Sequence, residues 1–366
     1  MTMTDVARYF QFLRFCLDGR HVGEDDVAGI SWHDLLLFAK KQAIVGVFWQ
    51  GIQQLGHLRE NKPTDDDVME WMAATLRISR QNKKVNEKAV WTYNNFAHEG
   101  FRSCLLKGQG VALYYPTPSL RQSGDIDIWV EGGAEKVIPY IRQFKPKAKA
   151  CYHHIDFIRV DKIPIEVHYR PSWMSCPWYN RRLQEYFASK SEEQFKHEVS
   201  LPDNAGTLAV PTWDFNVVFL LSHIYNHLLH EGIGLRQVID YYYLLRQGAG
   251  KSAEERQALS ETLRYVGMRK IGGAIMWVLK EQLGMDSSLL LLPPDARHGK
   301  ALLREMLKGG NFGKHDERTL SGVYDDAVTS NTQRLWRDLR MVRFFPSECI
   351  WEPFFRLYHF FWRKKH

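Results

Sequence analysis

The stretch Gly124-Asp125-Ile126-Asp127-Ile128-Trp129-Val130 sets two aspartates into a run that otherwise reads as a buried β-strand. A strand alternates its faces, so Asp125 and Asp127 share one face, about 6.5–7 Å apart along the backbone, and Ile126 and Ile128 turn to the other. A buried carboxylate is costly unless something cationic meets it. Two carboxylates on one face can converge on hard divalent cations, which take oxygen ligands. Two such ions roughly 3.5–4 Å apart can hold both the attacking and the leaving oxygen of a phosphoryl displacement. Glu166, flanked by Ile165 and Val167 in a second strand-like run, is the natural third carboxylate. Asp-x-Asp alone is a weak signal, and a solvated edge-strand face is the plain alternative. Three features favour the metal. Ser123 and Gly124 precede the pair and leave room for a ligand. Glu166 repeats the apolar-flanked pattern. Upstream, Leu105-Leu106-Lys107-Gly108-Gln109-Gly110 runs a strand into glycines and a short helix, which offers backbone N–H groups to phosphate.

Other residues could support this chemistry. Arg121 lies four residues before Asp125, placed either for a fork-shaped contact to phosphate or for pairing with an acid in its loop. His154 and His168 lie on strand-like runs. If Glu166 faces the site, so does His168, to bind phosphate or orient a carboxylate; a purely structural role stays open for each histidine. His223 and His227 are four apart, with His230 beyond, a spacing that suits zinc, but no glutamate completes His-Glu-x-x-His. Packing, or lining an acceptor pocket, is the favoured role. Arg236 and Asp240, also four apart, read as a helix ion pair. The Gly-rich run over 308–316 reads as a loop, not a phosphate cradle.

These residues need a frame. Residues 1–100 read as helical: Ser31 is an N-cap candidate, and a long helix opens on Asp65-Asp66-Asp67, acids that suit the positive end of the helix dipole. From 101 to about 175 the period changes to strand, short helix, strand, helix, then a hairpin turning at Asp161-Lys162. Helical periodicity returns over 176–330. A basic, aromatic tail over 331–366 reads as two helical pieces around Pro346. In it Trp351, Phe354, Phe355 and Tyr358 have the spacing of a core face, with contact to an anionic membrane or a partner as the alternative.

The segments from Leu105 to Val130 and from His153 to Pro171 together resemble the uncharacterised nucleotidyltransferase family of the polymerase-β-like superfamily. The resemblance rests on Leu-Lys-Gly, an Arg before Gly-Asp-Ile-Asp, a His-rich strand and Glu166-Val167-His168. It implies an α+β fold, a polymerase-β-type nucleotidyltransferase core of small mixed sheet and helices flanked by N- and C-terminal helical regions. It also implies transfer of a nucleoside monophosphate from an NTP, with two Mg²⁺ or Mn²⁺ ions held by Asp125, Asp127 and Glu166. The implied nucleotide-contacting set is Lys107, Gly108, Gly110, Arg121, Ser123, Gly124, His154 and His168. Where superfamily members carry Gly-Ser after the first strand, this chain carries Lys107-Gly108-Gln109-Gly110 further upstream of the acids, and Lys107 is expected to serve as a point-charge phosphate ligand.

Composition narrows the partners. The 366 residues are 45% hydrophobic and 13% aromatic, enough for a sizeable core. The net charge of +7 is uneven: residues 331–366 hold eight Lys/Arg against three Asp/Glu. A near-neutral body beneath a basic tail does not favour a long nucleic-acid track, though nucleic acid stays open as a partner. Five scattered cysteines without Cys-x-x-Cys fit a reducing cytoplasm. No run reaches the ~18 apolar residues of a membrane span. A nucleotide sensor or scaffold on the same fold, and an RNA-directed terminal transferase, are the alternatives. The oligomeric state and the acceptor are not legible.

Overall fold

The computed structural model describes residues 3–313 and 327–366. The last three residues of the Gly-rich run, 314–316, lie outside the described residues. Helices Met3–Asp18, Trp32–Gln42 and Val45–Ile52 are followed by the long helix Asp65–His98. Ser31 caps the second of these by accepting from the Asp34 N–H. Thr64 opens the long helix in a capping box with Asp67, and the acids that follow favour the dipole.

Four strands form the sheet: β1 (Ser103–Leu106), β2 (Ile126–Val130), β3 (His154–Val160) and β4 (Ile163–His168), in the order β1-β2-β4-β3. The outer pairs are antiparallel and the central β2/β4 pair is parallel. A parallel pair needs a crossover; here helix Gly133–Phe144 and β3 supply it. The β3–β4 turn uses Asp161 and Lys162 at φ 50° and 68°, the paired left-handed geometry that matches strand twist. This is the expected α+β arrangement: a small mixed sheet between helical segments.

Alternation divides the sheet. Ile126, Ile128, Val130, Ile165 and Val167 pack on helix Gly133–Phe144 and on Val85 and Ala89 of the long helix. Cys104, Leu106 and Trp129 enter a second core, which joins the N-terminal helices to helices Trp213–His230 and Leu235–Gln247. Helix Pro177–Gln194 and a hairpin of β5 (Glu198–Leu201) with β6 (Gly206–Ala209) connect sheet and helices. Neither was singled out in the sequence, because the helix is weakly amphipathic and the strands have four residues each. No helix among the described residues is long and apolar enough to cross a membrane.

The tail forms helices Ala327–Met341 and Pro346–Lys365, breaking at Pro346 as expected. Its inward face differs from the expected one. Phe355 packs inward, but Phe354 and Tyr358 are exposed. The buried residues are instead Glu348, Cys349, Glu352 and Trp362. Apolar spacing misplaced this face because aromatics surround the helix and acids supply its anchors. Glu348 accepts from the Ser175 N–H at 2.6 Å, and Arg356 bonds Glu352 at 2.6 Å.

Burial pushes the Glu348 carboxyl up from 4.5 to about 7. A raised carboxyl binds its proton more tightly in the folded chain, so its contribution to stability is full below the unfolded value and is lost as pH rises through about 7. Wild-type stability should therefore fall between mildly acidic and neutral pH, by on the order of 3 kcal/mol from this group. Glu348→Gln should remove that part of the slope in urea melts across pH; an unchanged slope counts against a titrating anchor.

Candidate active site

The sheet brings the three expected acids together. Asp127 sits on β2 directly beside Glu166 on β4, and Asp125 lies one residue before β2. One oxygen from each of Asp125, Asp127 and Glu166 falls within a group spanning no more than 4.8 Å. The same row continues to Asp156, opposite Glu166 on β3. Sequence reasoning passed over Asp156, although its two-residue spacing from His154 was the available signal.

Cations meet the acids from both sides. The chain leaves β1 through Lys107 (φ 51°, ψ −141°) and Gly108 (φ 44°). A left-handed lysine costs about 1–3 kcal/mol, strain typical of functional sites. That turn carries the Lys107 Nζ to 2.9 Å from Asp127 Oδ1. From β4, His168 Nε2 donates to the same oxygen at 2.9 Å and lies 3.7 Å from Glu166. His154 Nε2 approaches Glu166 at 3.9 Å, and its Nδ1 lies 2.8 Å from His153 Nε2. His153 stacks on Trp173 with ring centroids 4.2 Å apart. His154, Glu166 and His168 form a second group able to surround a cation, with Glu166 common to both.

The charges are unevenly matched. Burial works against the Asp127 charge, but Lys107 and His168 outweigh it and hold this carboxyl well below its usual range. Burial likewise opposes the charge on Lys107, yet Asp127, Asp125 and Glu166 raise its pKa; for His168, Asp127 and Glu166 do the same. Asp125 is pushed up by the neighbouring Asp127 charge and by burial. Three carboxylates thus share two cationic partners, and the excess of acid over cation falls on Asp125. A divalent cation would relieve that excess, and the oxygen donors of Asp125, Asp127 and Glu166 fit Mg²⁺ or Mn²⁺.

The remaining candidates divide. Arg121 is buried, its Nε and Nη2 bonding both oxygens of Asp240 at 2.7 and 2.8 Å, and Tyr115 Oη donates to Asp240 at 2.6 Å. Of the two roles open to this fork, pairing with an acid is the one these bonds make. Arg236 donates to the Gln122 carbonyl at 2.9 Å. Asn82 of the long helix donates to the carbonyls of Ser119 and Arg121, and Ser123 donates to Asn82. Gln109 bonds Asn86 one turn on. No sequence signal marked Asn82, Asn86 or Tyr115, since only folding brings the long helix against this loop. A side chain on Gly110 would meet the Val210 side chain at 3.1 Å, which would have to give by a few tenths of an ångström, whereas one on Gly124 would enter open space.

Helix Trp213–His230 faces the cluster. Burial holds His223 well below the usual histidine value, and the charges of Lys107, His227 and His168 add to the effect. His227 bonds Glu231 at 3.0 Å, and His230 donates to the Asn226 carbonyl. Among the described residues, these histidines belong to no group that could hold a metal.

A mixed sheet carrying paired aspartates beside a third acid, with a lysine at the end of the first strand, is the core of a nucleotidyltransferase-type protein. The chain belongs to the uncharacterised nucleotidyltransferase family, whose model matches residues 28–284. No curated protein matches it. Among solved structures it is similar to an antigenic nucleotidyltransferase-like protein from Paracoccidioides brasiliensis, at 12% identity and a TM-score of 0.32, covering 59% of this chain and 95% of that one. So distant a likeness carries no part of the functional reading.

Two outcomes test this geometry. Asp240→Ala strands the buried Arg121 guanidinium and should cost roughly 3–5 kcal/mol in urea unfolding, while Arg121→Met with Asp240→Leu should recover most of it. Mn²⁺ should bind in calorimetry and bind more tightly as pH rises, because the raised Asp125 and His168 hold protons that the ion must displace or repel. Affinity independent of pH, or unaffected by Asp125→Asn, would count against this site.

Proposed function

We propose that the protein is a metal-dependent nucleotidyltransferase that moves a nucleoside monophosphate from an NTP to an acceptor hydroxyl on a small molecule or protein. The observation that carries this reading is the meeting of Asp125, Asp127 and Glu166 within 4.8 Å on one sheet face. These three residues would hold two Mg²⁺ or Mn²⁺ ions. When bound, such ions neutralise charge on the transferring phosphoryl group and orient its oxygens.

The chain's own residues supply the rest. Lys107, already drawn to Asp127, offers a point charge to the triphosphate. His168 keeps Asp127 ionised and oriented through its 2.9 Å bond. Glu166, partly open to solvent, helps draw the proton from the acceptor hydroxyl. Ser123 and Gly124 leave space before the acids, and His154 borders Glu166. Arg121 acts at one remove by fixing the loop that delivers Asp125. The helices Trp213–His230 and Leu235–Gln247, with His223 towards the cluster, are the acceptor side in this reading.

The test is incubation with each α-labelled NTP, Mg²⁺ or Mn²⁺ and a cell extract, following the label and the release of pyrophosphate. Wild-type protein should transfer label. Asp127→Asn and the less buried Asp125→Asn should each lower transfer by roughly a thousandfold, with unchanged circular dichroism. Retained turnover in both folded variants sinks the assignment; NTP binding without pyrophosphate release would make the protein a sensor.

A further inference from the structure

Nine of the seventeen exposed large apolar side chains among the described residues lie between Leu335 and Phe361. Six are on the C-terminal helix Pro346–Lys365: Ile350, Phe354, Leu357, Tyr358, Phe360 and Phe361. Ile350, Phe354, Leu357 and Phe361 follow one another at intervals of four, three and four, which sets them in one stripe along the helix. Lys364 and Lys365, three and four residues beyond Phe361, continue that stripe as charge. Lys364 lies over the Phe360 ring at 4.5 Å. Exposed apolar side chains set side by side along one face mark an interaction surface.

Charge identifies the occupant. The three acids of residues 331–366, Asp338, Glu348 and Glu352, are all buried, whereas Arg343, Arg363, Lys364 and Lys365 are exposed. Among the described residues, the surface of this helix pair is therefore apolar and cationic, with no exposed carboxylate of its own. A second copy of the chain would set those cations against an equally cationic face. An anionic lipid surface answers both features, since it takes aromatic and aliphatic side chains below the headgroups and lysine ammonium groups among them.

We propose that the C-terminal helix docks this chain on an anionic lipid surface, with Ile350, Phe354, Leu357 and Phe361 inserted and Lys364 and Lys365 among the headgroups. The opposite side of the helix reaches the candidate site: Phe355 stacks on Trp173, which stacks on His153. Docking therefore brings the acid cluster close to the lipid surface. The proposal does not rest on the transfer activity and fails or stands separately from it.

The test is co-sedimentation of the full chain with phosphatidylcholine vesicles made with and without phosphatidylglycerol, at low and high salt. Wild-type protein should pellet with the anionic vesicles and be partly released by salt. The triple variant Phe354→Glu, Leu357→Glu and Phe361→Glu should lose on the order of a hundredfold in partitioning. Lys364→Glu with Lys365→Glu should lose roughly tenfold or more. All five side chains are exposed, so melting temperature and circular dichroism should hold, and the double variant checks the proposal if the triple variant does not fold. Wild-type protein left in the supernatant overturns it, as does equal pelleting of both variants. Sedimentation velocity showing a dimer that the triple variant dissolves, without vesicle binding, would assign the face to a second copy.

Discussion

Much of this molecule depends on keeping Asp127 charged at 3% exposure in the middle of a sheet face. A buried carboxylate with no partner costs several kcal/mol. Here one oxygen takes both the Lys107 ammonium and the His168 N–H. Lys107 reaches it only because the chain leaves β1 through two left-handed residues. His168 reaches it only because β4 runs parallel to β2 in a register that sets Asp127 beside Glu166. That parallel pairing in turn requires the crossover through helix Gly133–Phe144 and β3. Topology, backbone strain and register thus converge on one carboxylate.

The helical segments hold the site as well as enclose it. The loop that delivers Asp125 is tied to the long helix through Asn82 and to helix Leu235–Gln247 through the Arg121–Asp240 pair. Both ties are buried, where hydrogen bonds and charge pairs are expensive to break. One apolar core spans the N-terminal helices and those after residue 212. A disturbance in either segment can therefore shift the loop that precedes the acids. The C-terminal helix closes the circuit on the other side by stacking Phe355 on Trp173 beside the site histidines.

Legibility followed range. Capping at Ser31, the acid-rich start of the long helix at Asp65, the turn at Asp161-Lys162 and the break at Pro346 are local chemistry, and the structure has them where the residues implied. The gathering of Asp125, Asp127 and Glu166 was also legible, because strand alternation and flanking apolar residues assign each acid a face. Arg121 was ambiguous: a guanidinium four residues from an aspartate suits phosphate or an acid equally, and Asp240 lies 119 residues away. The tail misled because nearly every face of its helix carries an aromatic, so spacing could not tell inward from outward.

The residues alone determined the alternating strands, the capped helices, a trio of acids suited to divalent ions and a resemblance to one nucleotidyltransferase family, since each depends on neighbours a few positions apart. Only the tertiary structure decided that Lys107 and His168 share one oxygen of Asp127, that Arg121 belongs to Asp240, and that the tail buries its acids and exposes its aromatics. Those outcomes depend on which distant side chains compete for the same buried charge, and that competition is resolved only when the chain is packed.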